Sequence, residues 1–261
     1  MFAKLLKQDL KKDMRWMWIL FVATIAVAGL SRGFKELGEN FMFFKILTIL
    51  FDSIFYSLLV NVIIHPFLRS FLNFTKSFYG DESYLTHTLP VTKNQLFNSK
   101  FLTAVIEMIL GFVSLIVSVL IRYATPTMFK TLKLLLSTML TGNFSIYLVL
   151  SLFIVLIIVE FLMFISVILF SVVIAYRAKE KKALKAFLLT AGISFIALTV
   201  LSISMVIVLL INKVDLTSSM LVLSNSAFIS IILTGIAVYL AVVVIFYFLA
   251  KKEFRKGVDV D

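Results

Sequence analysis

The stretch that decides the fold is residues 145–176, SIYLVLSLFIVLIIVEFLMFISVILFSVVIAY, in which Glu160 is the single charged side chain. An apolar helix of about 20 residues crosses the hydrocarbon core of a bilayer, so this stretch can span it with a tilt or continue beyond it. Five other stretches of the chain have the same apolar character. The predicted membrane spans are residues 16–34, 41–66, 101–122, 145–176, 187–211 and 227–250.

The composition agrees with a membrane protein. Of the 261 residues, 61% are hydrophobic, whereas soluble domains are about half apolar. We therefore predict an all-α polytopic membrane protein with six transmembrane helices, in which residues 1–261 form a single transmembrane domain. The chain has no cysteine, which excludes disulfides, thiol catalysis and thiolate metal sites.

The distribution of basic residues predicts the orientation. Eighteen Lys and Arg residues lie in residues 1–15, the 67–100 loop, the 177–186 loop and the C-terminal tail, against six in the connections on the other side. Basic residues are retained on the inner side of a membrane, so both termini are predicted to be cytoplasmic. The net charge of +11 is then explained by topology, and no nucleic-acid partner is expected.

Two amphipathic segments lie outside the predicted spans. Residues 1–15 have an apolar face opposite a lysine-rich face, which predicts an interfacial helix on the anionic inner leaflet. The simpler interpretation is a basic flank that only orients the first span. Residues 128–140 are too short to span but form one apolar stripe, which predicts an extracellular interfacial or re-entrant helix. The apolar face of residues 1–15 includes Phe2, Leu5, Leu6 and Leu10.

The sequence lacks the motifs of the common hydrolases. Gly33 and Gly38 have the spacing of a phosphate-binding loop, but Glu39 and Asn40 follow where Lys and Ser or Thr are required. There is no HExxH or GxSxG pattern. We expect a chain that is not an enzyme, with no catalytic residue, no metal site and no cofactor of its own.

Polar residues within the spans are candidates for function. Asp52, Glu107 and Glu160 would each cost about 2.5–3.5 kcal/mol if charged at the centre of an inserted helix, so they should face protein or cargo rather than lipid. The distance of Asp52 from Phe41 places it near the midplane. In span three, small and polar residues recur every three or four positions, a pattern that favours either helix packing or a translocation pathway. That face comprises Thr103, Glu107, Gly111, Ser114, Ser118 and Arg122.

A polar insert, DESYLTHTLPVTKNQLFNSK at residues 81–100, separates spans two and three. Residues 84–89 are predicted to form a short helix, which Pro90 ends because proline disfavours helix at the residue before it. Thr92 is predicted to cap a second helix that starts at Lys93 and leads into span three.

Residues 80–100 resemble a motif of the permease subunits of small bacterial ABC-2 type ATP-binding cassette exporters. The shared pattern is G-D-E-x-Y-L-x-x-T-L-P-V-T over residues 80–92, followed by Gln95-Leu96 and Ser99-Lys100. In that family the loop after span two is a coupling helix that docks on the nucleotide-binding subunit, beside an N-terminal helix on the inner leaflet. By resemblance, an ATPase-coupling role falls on Asp81, Glu82, Tyr84, Leu85, Thr88, Leu89 and Pro90.

The resemblance implies a multi-pass permease in a bacterial cell membrane. It would pair with a second copy or a paralogue, and a separate ABC ATPase would bind ATP and Mg. The expected cargo is an amphipathic or antimicrobial peptide, or another lipophilic substrate, which the system exports or protects against. Two alternatives remain open: a proton-coupled secondary transporter or channel that uses the intramembrane carboxylates, and a membrane sensor or scaffold without cargo.

Overall fold

The protein is described by a computed structural model that covers residues 2–38, 41–80, 83, 88, 91–141, 146–178, 180–214 and 223–256. The helices with defined bounds are α1 (Phe2–Leu37), α2 (Met42–Tyr79), α3 (Lys93–Tyr123), α4 (Pro126–Met139), α5 (Ile146–Ala175), α6 (Lys182–Ile211) and α7 (Asn225–Arg255). Two short parallel strands, β1 (Leu140–Thr141) and β2 (Leu223–Ser224), pair with each other.

All of these helices except α4 are long and apolar enough to cross a membrane, which confirms the all-helical polytopic fold with six spans. Many of their large apolar side chains are exposed, as expected where lipid replaces water as the solvent. Trp16 and Trp18, which follow the basic N-terminal segment, are both exposed. Tryptophan in this position is typical of a membrane–water interface.

The chain forms two compact units, Met1–Met128 and Phe129–Asp259. In the first unit α1, α2 and α3 all contact one another, which makes a three-helix bundle. In the second unit α5 packs against both α6 and α7, and these two also pack against each other.

Helix α1 joins two elements that the sequence analysis separates. The basic amphipathic segment is helical as predicted, but it continues without a break into the first span, so it is not a separate interfacial element. The segment has no proline and no glycine before Gly29, hence nothing ends the helix at the predicted boundary. The buried stripe of α1 starts with Asp9 and Asp13, while the predicted apolar residues Phe2, Leu5, Leu6 and Leu10 are only partly buried beside it.

Helix α2 is longer than predicted. The predicted span ends at Pro66 and gives way to a loop, yet the helix continues to Tyr79 with Pro66 inside it. An internal proline removes one helical hydrogen bond. Tertiary packing offsets that loss, because Pro66, Phe74 and Phe78 lie on the buried side of α2.

Helix α3 begins where the sequence predicts. The Thr92 hydroxyl accepts a hydrogen bond from the Gln95 backbone at 3.3 Å, and the Gln95 side chain accepts one from the Thr92 backbone at 3.2 Å. This reciprocal capping box starts the helix at Lys93, and the helix then runs unbroken through the predicted third span. The predicted helix at residues 128–140 corresponds to α4, and the last three predicted spans correspond to α5, α6 and α7.

Candidate functional site

The predicted coupling segment lies mostly outside the described residues. Asp81, Glu82, Tyr84, Leu85, Leu89 and Pro90 are not described, and Thr88 is described as exposed. The coupling role of these residues therefore stays a prediction. The structure does describe the helices that flank the segment, which we call the insert end of the first unit: the end of α2, the start of α3 and the N-terminal part of α1.

An aromatic cluster joins α2 to α3 at the insert end. The ring centroids of Phe74 and Phe78 are 5.1 Å apart, and those of Phe74 and Phe97 are 6.1 Å apart, both in edge-to-face geometry. All three side chains are buried. Edge-to-face aromatic pairs add to the stabilisation that burial provides. A displacement of the insert would therefore act on α2 and α3 together.

An ionic contact joins α1 to α3 one turn further along α3. The Lys100 ammonium group lies 2.7 Å from one carboxylate oxygen of Asp9, and the Ser99 hydroxyl donates to the other at 2.7 Å. The three side chains are buried, so both oxygens of Asp9 are satisfied inside the protein. Such charge-assisted hydrogen bonds are stronger and more directional than apolar contacts.

Three more charged residues complete what we call the insert-end ionic cluster. Arg69 of α2 contacts Asp13 of α1 at 3.4 Å. Glu107 of α3 is 1% exposed and lies two helical turns beyond Lys100 on the buried side of α3. Within the described residues, neither Oε1 of Glu107 nor Nε of Arg69 has a hydrogen-bond partner. The cluster consists of Asp9, Asp13, Arg69, Lys100 and Glu107.

A second charged group, which we call the opposite-end cluster, lies where α3 finishes. Arg122 binds Asp52 of α2 through two parallel hydrogen bonds of 2.9 Å, and the Ser31 hydroxyl of α1 also donates to Asp52. The hydroxyls of Tyr56 and Tyr123 are hydrogen-bonded nearby. The expectation that Asp52 lies near mid-span stays a prediction, and its partner Arg122 occupies the last turn of α3.

The two clusters are separated by about the thickness of a membrane core. Asp13 and Ser31, which mark the two clusters on α1, are 18 residues apart, or about 27 Å at 1.5 Å per residue. The hydrocarbon core of a bilayer is about 30 Å thick. The charged groups of the first unit are thus grouped at both ends of a stretch long enough to cross a membrane.

The polar face predicted on span three is confirmed as a single buried face of α3. Thr103, Glu107, Gly111, Ser114 and Ser118 are all buried in the first unit. Gly111 on this face packs against α2. The hydroxyls of Ser114 and Ser118 have no hydrogen-bond partner among the described residues.

Gly111 lies where α3 crosses the proline of α2. A Cβ atom at this position would lie 3.4 Å from the Val62 carbonyl oxygen and 3.5 Å from the Pro66 ring. That carbonyl is the one that Pro66 leaves without its helical donor. A methyl group at position 111 would be in van der Waals contact with both atoms, so a larger side chain would have to displace α2 or α3.

Among the described residues of the second unit, Arg177, just after α5, pairs with Glu253 of α7, and the Glu160 carboxyl group of α5 contacts the Tyr239 hydroxyl of α7. The surrounding core is apolar and includes Val159, Met163 and Leu201. Tyr239 was not a candidate in the sequence analysis, because a lone tyrosine in an apolar span has no distinctive pattern.

Four charged residues of the first unit were also missed: Asp9, Asp13, Arg69 and Lys100. The useful signal was the spacing of the two aspartates, which lie four residues apart and in step with Met17 and Phe21 on the buried stripe. The pairing of Asp52 with Arg122 was missed as well, although each residue had been singled out.

The charged groups of the first unit pair with one another. Within the described part of the chain, no group of three or more His, Cys, Asp or Glu side chains could hold a metal ion. The expectations of no catalytic residue and no cofactor stay predictions. Comparisons of this chain with protein-family models, curated proteins and solved structures found no match.

Proposed function

We propose that this chain is the transmembrane permease subunit of an ATP-driven exporter of the ABC-2 type. In this proposal it lies in a bacterial cell membrane with both termini and the insert on the cytoplasmic side. It pairs with a second copy or a paralogue, and a separate ABC ATPase binds and hydrolyses ATP. The observation that carries the proposal is that the helices flanking the insert are fixed to each other and to α1.

That connection is what a coupling device requires. An ATPase docked on residues 81–90 would act first on the aromatic cluster of Phe74, Phe78 and Phe97, which joins α2 to α3. The contact between Lys100 and Asp9 extends the connection to α1. A partner that binds one arrangement of these helices better than another shifts the equilibrium between them.

The expected cargo is inferred from the apolar composition of the spans. We expect an amphipathic or antimicrobial peptide or another lipophilic substrate, because the spans are rich in phenylalanine and aliphatic residues.

Glu107 supports a second candidate function, a proton-coupled secondary transporter or channel, since its Oε1 atom is buried without a partner among the described residues.

The test is copurification from membranes of the native host, followed by an ATPase assay. Leu85→Asp and Tyr84→Ala change the predicted docking surface, and both should lose the ABC ATPase and its stimulated hydrolysis while the permease stays inserted. Lys133→Ala on the exposed side of α4 is the control and should keep both. If association and stimulation persist in both insert variants, the coupling assignment is wrong.

A separate assay distinguishes the second candidate. Proteoliposomes that contain the chain alone, without any ATPase, should show no solute uptake when a proton gradient is imposed. Uptake driven by the gradient alone would favour the secondary transporter over the exporter.

A further inference from the structure

A groove lies in the second unit, where α5 ends and α6 begins. Its volume is about 450 Å³, within the range of about 300–1,000 Å³ that is usual for pockets that bind small ligands. Five of its six lining side chains are aliphatic, and the sixth is a lysine. The lining of what we call the α5–α6 groove comprises Ile174, Ala175, Ala178, Lys185, Leu188 and Leu189.

Lys185 marks the boundary between the charged and the apolar part of α6. The stretch that follows it, residues 186–211, has no charged residue and is long enough to cross a membrane by itself. Leu189 follows Lys185 by four residues, or about 6 Å along the helix axis. In a bilayer the ammonium group would therefore lie at the level of the lipid headgroups, and the aliphatic lining at the level of the acyl chains.

The end of the second unit that contains the groove is basic. The ion pair of Arg177 with Glu253 places the end of α7 beside the end of α5, and α6 begins a few residues after Arg177. Among the described residues, 174–189 and 247–256 together contain eight Lys or Arg side chains and two Glu side chains. Such an excess of positive charge near a membrane surface attracts anionic lipid headgroups.

The ammonium group of Lys185 is available to a ligand. Glu253 is already engaged by Arg177 and Lys256, and Lys251 lies over the ring of Tyr247. The Lys185 side chain is exposed, and within the described part of the second unit no carboxylate forms an ion pair with it. The groove thus combines an unengaged cation with an aliphatic wall, which is the pattern expected for a ligand with an anionic head and an alkyl chain.

We propose that the α5–α6 groove binds one anionic phospholipid. The headgroup phosphate accepts a hydrogen bond from Lys185, and part of one acyl chain lies against Ile174, Leu188 and Leu189. A free anion would leave the aliphatic lining without a partner, and a zwitterionic phospholipid would gain less from the excess of basic residues. The proposal does not rest on the exporter function, because it uses only the contacts and charges of the second unit.

Native mass spectrometry of the whole chain tests the proposal. The protein is released from vesicles that contain equal amounts of phosphatidylglycerol and phosphatidylcholine with the same acyl chains, and the lipid retained on each chain is identified. The wild type should retain one phosphatidylglycerol in preference to phosphatidylcholine. Lys185→Gln should reduce this preference about fivefold, the factor expected from one basic residue near an anionic headgroup. Lys213→Gln is the matched control at the other end of α6, where Lys213 is exposed, and it should keep the preference.

The apolar part of the groove is tested separately. Ala178→Phe places a ring in the groove and keeps every charge, so it should lower the amount of phosphatidylglycerol retained. An excess of inorganic phosphate should not displace the lipid from the wild type.

Four results would overturn the proposal. The wild type could retain the two lipids equally, or Lys185→Gln could retain as much phosphatidylglycerol as Lys213→Gln does. Unchanged retention in Ala178→Phe, or displacement by inorganic phosphate, would show that charge alone attracts the lipid and that the groove holds no acyl chain. None of these measurements involves an ATPase, so their failure is independent of the exporter function.

Discussion

The two units solve the same packing problem in different ways. Each consists of three long apolar helices, but the first unit joins its helices through charged clusters at both ends. The second has an apolar core with the contact between Glu160 and Tyr239, and the more exposed ion pair of Arg177 with Glu253 joins the end of α5 to α7. Lipid tails are as apolar as leucine, so apolar contacts within a membrane give helices little preference for one another. Directional ion pairs restore that preference, and they fix the register of α1, α2 and α3.

The two units also differ in the kind of contact that would have to change if their helices moved. Ion pairs are discrete contacts whose partners can be exchanged. The first unit also contains the proline of α2 and the glycine that faces it. The unit that flanks the insert therefore combines charged clusters with a proline inside a long helix.

The largest effect should come from breaking the opposite-end cluster. Arg122→Leu removes both hydrogen bonds to Asp52 and leaves a partly buried carboxylate without its cation. We expect the free energy of unfolding to fall by about 3 kcal/mol. This value is at the low end of the range for breaking a buried ion pair, because the Asp52 side chain is 25% exposed. Thermal unfolding in detergent measures this loss of stability. The double variant Asp52→Leu/Arg122→Leu should be more stable than Arg122→Leu alone. A single variant as stable as the wild type would contradict the assignment.

The next effect concerns the close approach at Pro66. A Cβ at position 111 would already lie within 3.5 Å of the Val62 carbonyl and the Pro66 ring. The two methyl groups of Gly111→Val would have to fit beside these atoms, so the substitution should destabilise the protein by about 1–3 kcal/mol. Gly192→Val in α6 of the second unit is the control, because nothing lies within 4 Å of a Cβ there. Equal melting temperatures for the two variants would show that Gly111 is not a packing constraint.

A smaller effect is expected from the polar contact of the second unit. Tyr239→Phe removes the hydroxyl that is hydrogen-bonded to Glu160, and a net hydrogen bond contributes about 1 kcal/mol. The melting temperature should fall slightly, and adding Glu160→Gln should change it little further. A large loss in Tyr239→Phe would mean that the second unit also depends on buried polar groups.

The smallest effect is expected at the start of α3. Thr92→Ala removes the capping box at an exposed position and should cost about 0.5–1 kcal/mol. Helix α6 offers the comparison, since Lys181 precedes it in a left-handed conformation without a side-chain cap. Hydrogen exchange at the first turn of α3 should rise in the Thr92 variant, and an unchanged rate would indicate that the cap is dispensable.

The spans could be predicted from the sequence because each depends on a local property, a run of apolar residues of sufficient length. The start of α3 was predictable for the same reason, since Thr92 and Gln95 lie three residues apart. The continuation of α2 beyond Pro66 was not, because the buried contacts of Phe74 and Phe78 outweigh the local effect of the proline.

The partners of the charged residues could not be predicted in the same way. The spacing on α3 identifies a polar face that includes Glu107 and Arg122, but the sequence does not say which neighbouring helix supplies Asp52 or Asp13. Asp9 and Asp13 were hidden within a segment whose lysines dominate its pattern. Pairing across helices is a property of the folded bundle.

The most direct test of the link between the insert and the spans is a charge exchange between Asp9 and Lys100. Asp9→Lys and Lys100→Asp each place like charges 2.7 Å apart in the native geometry, so each should abolish the stimulation of the copurified ABC ATPase in proteoliposomes. The double variant restores an ion pair with reversed polarity and should recover much of the stimulation, whereas Glu160→Gln in the second unit should not affect it. If both single variants stimulate the ATPase as well as the wild type does, the ionic cluster does not couple the insert to the spans.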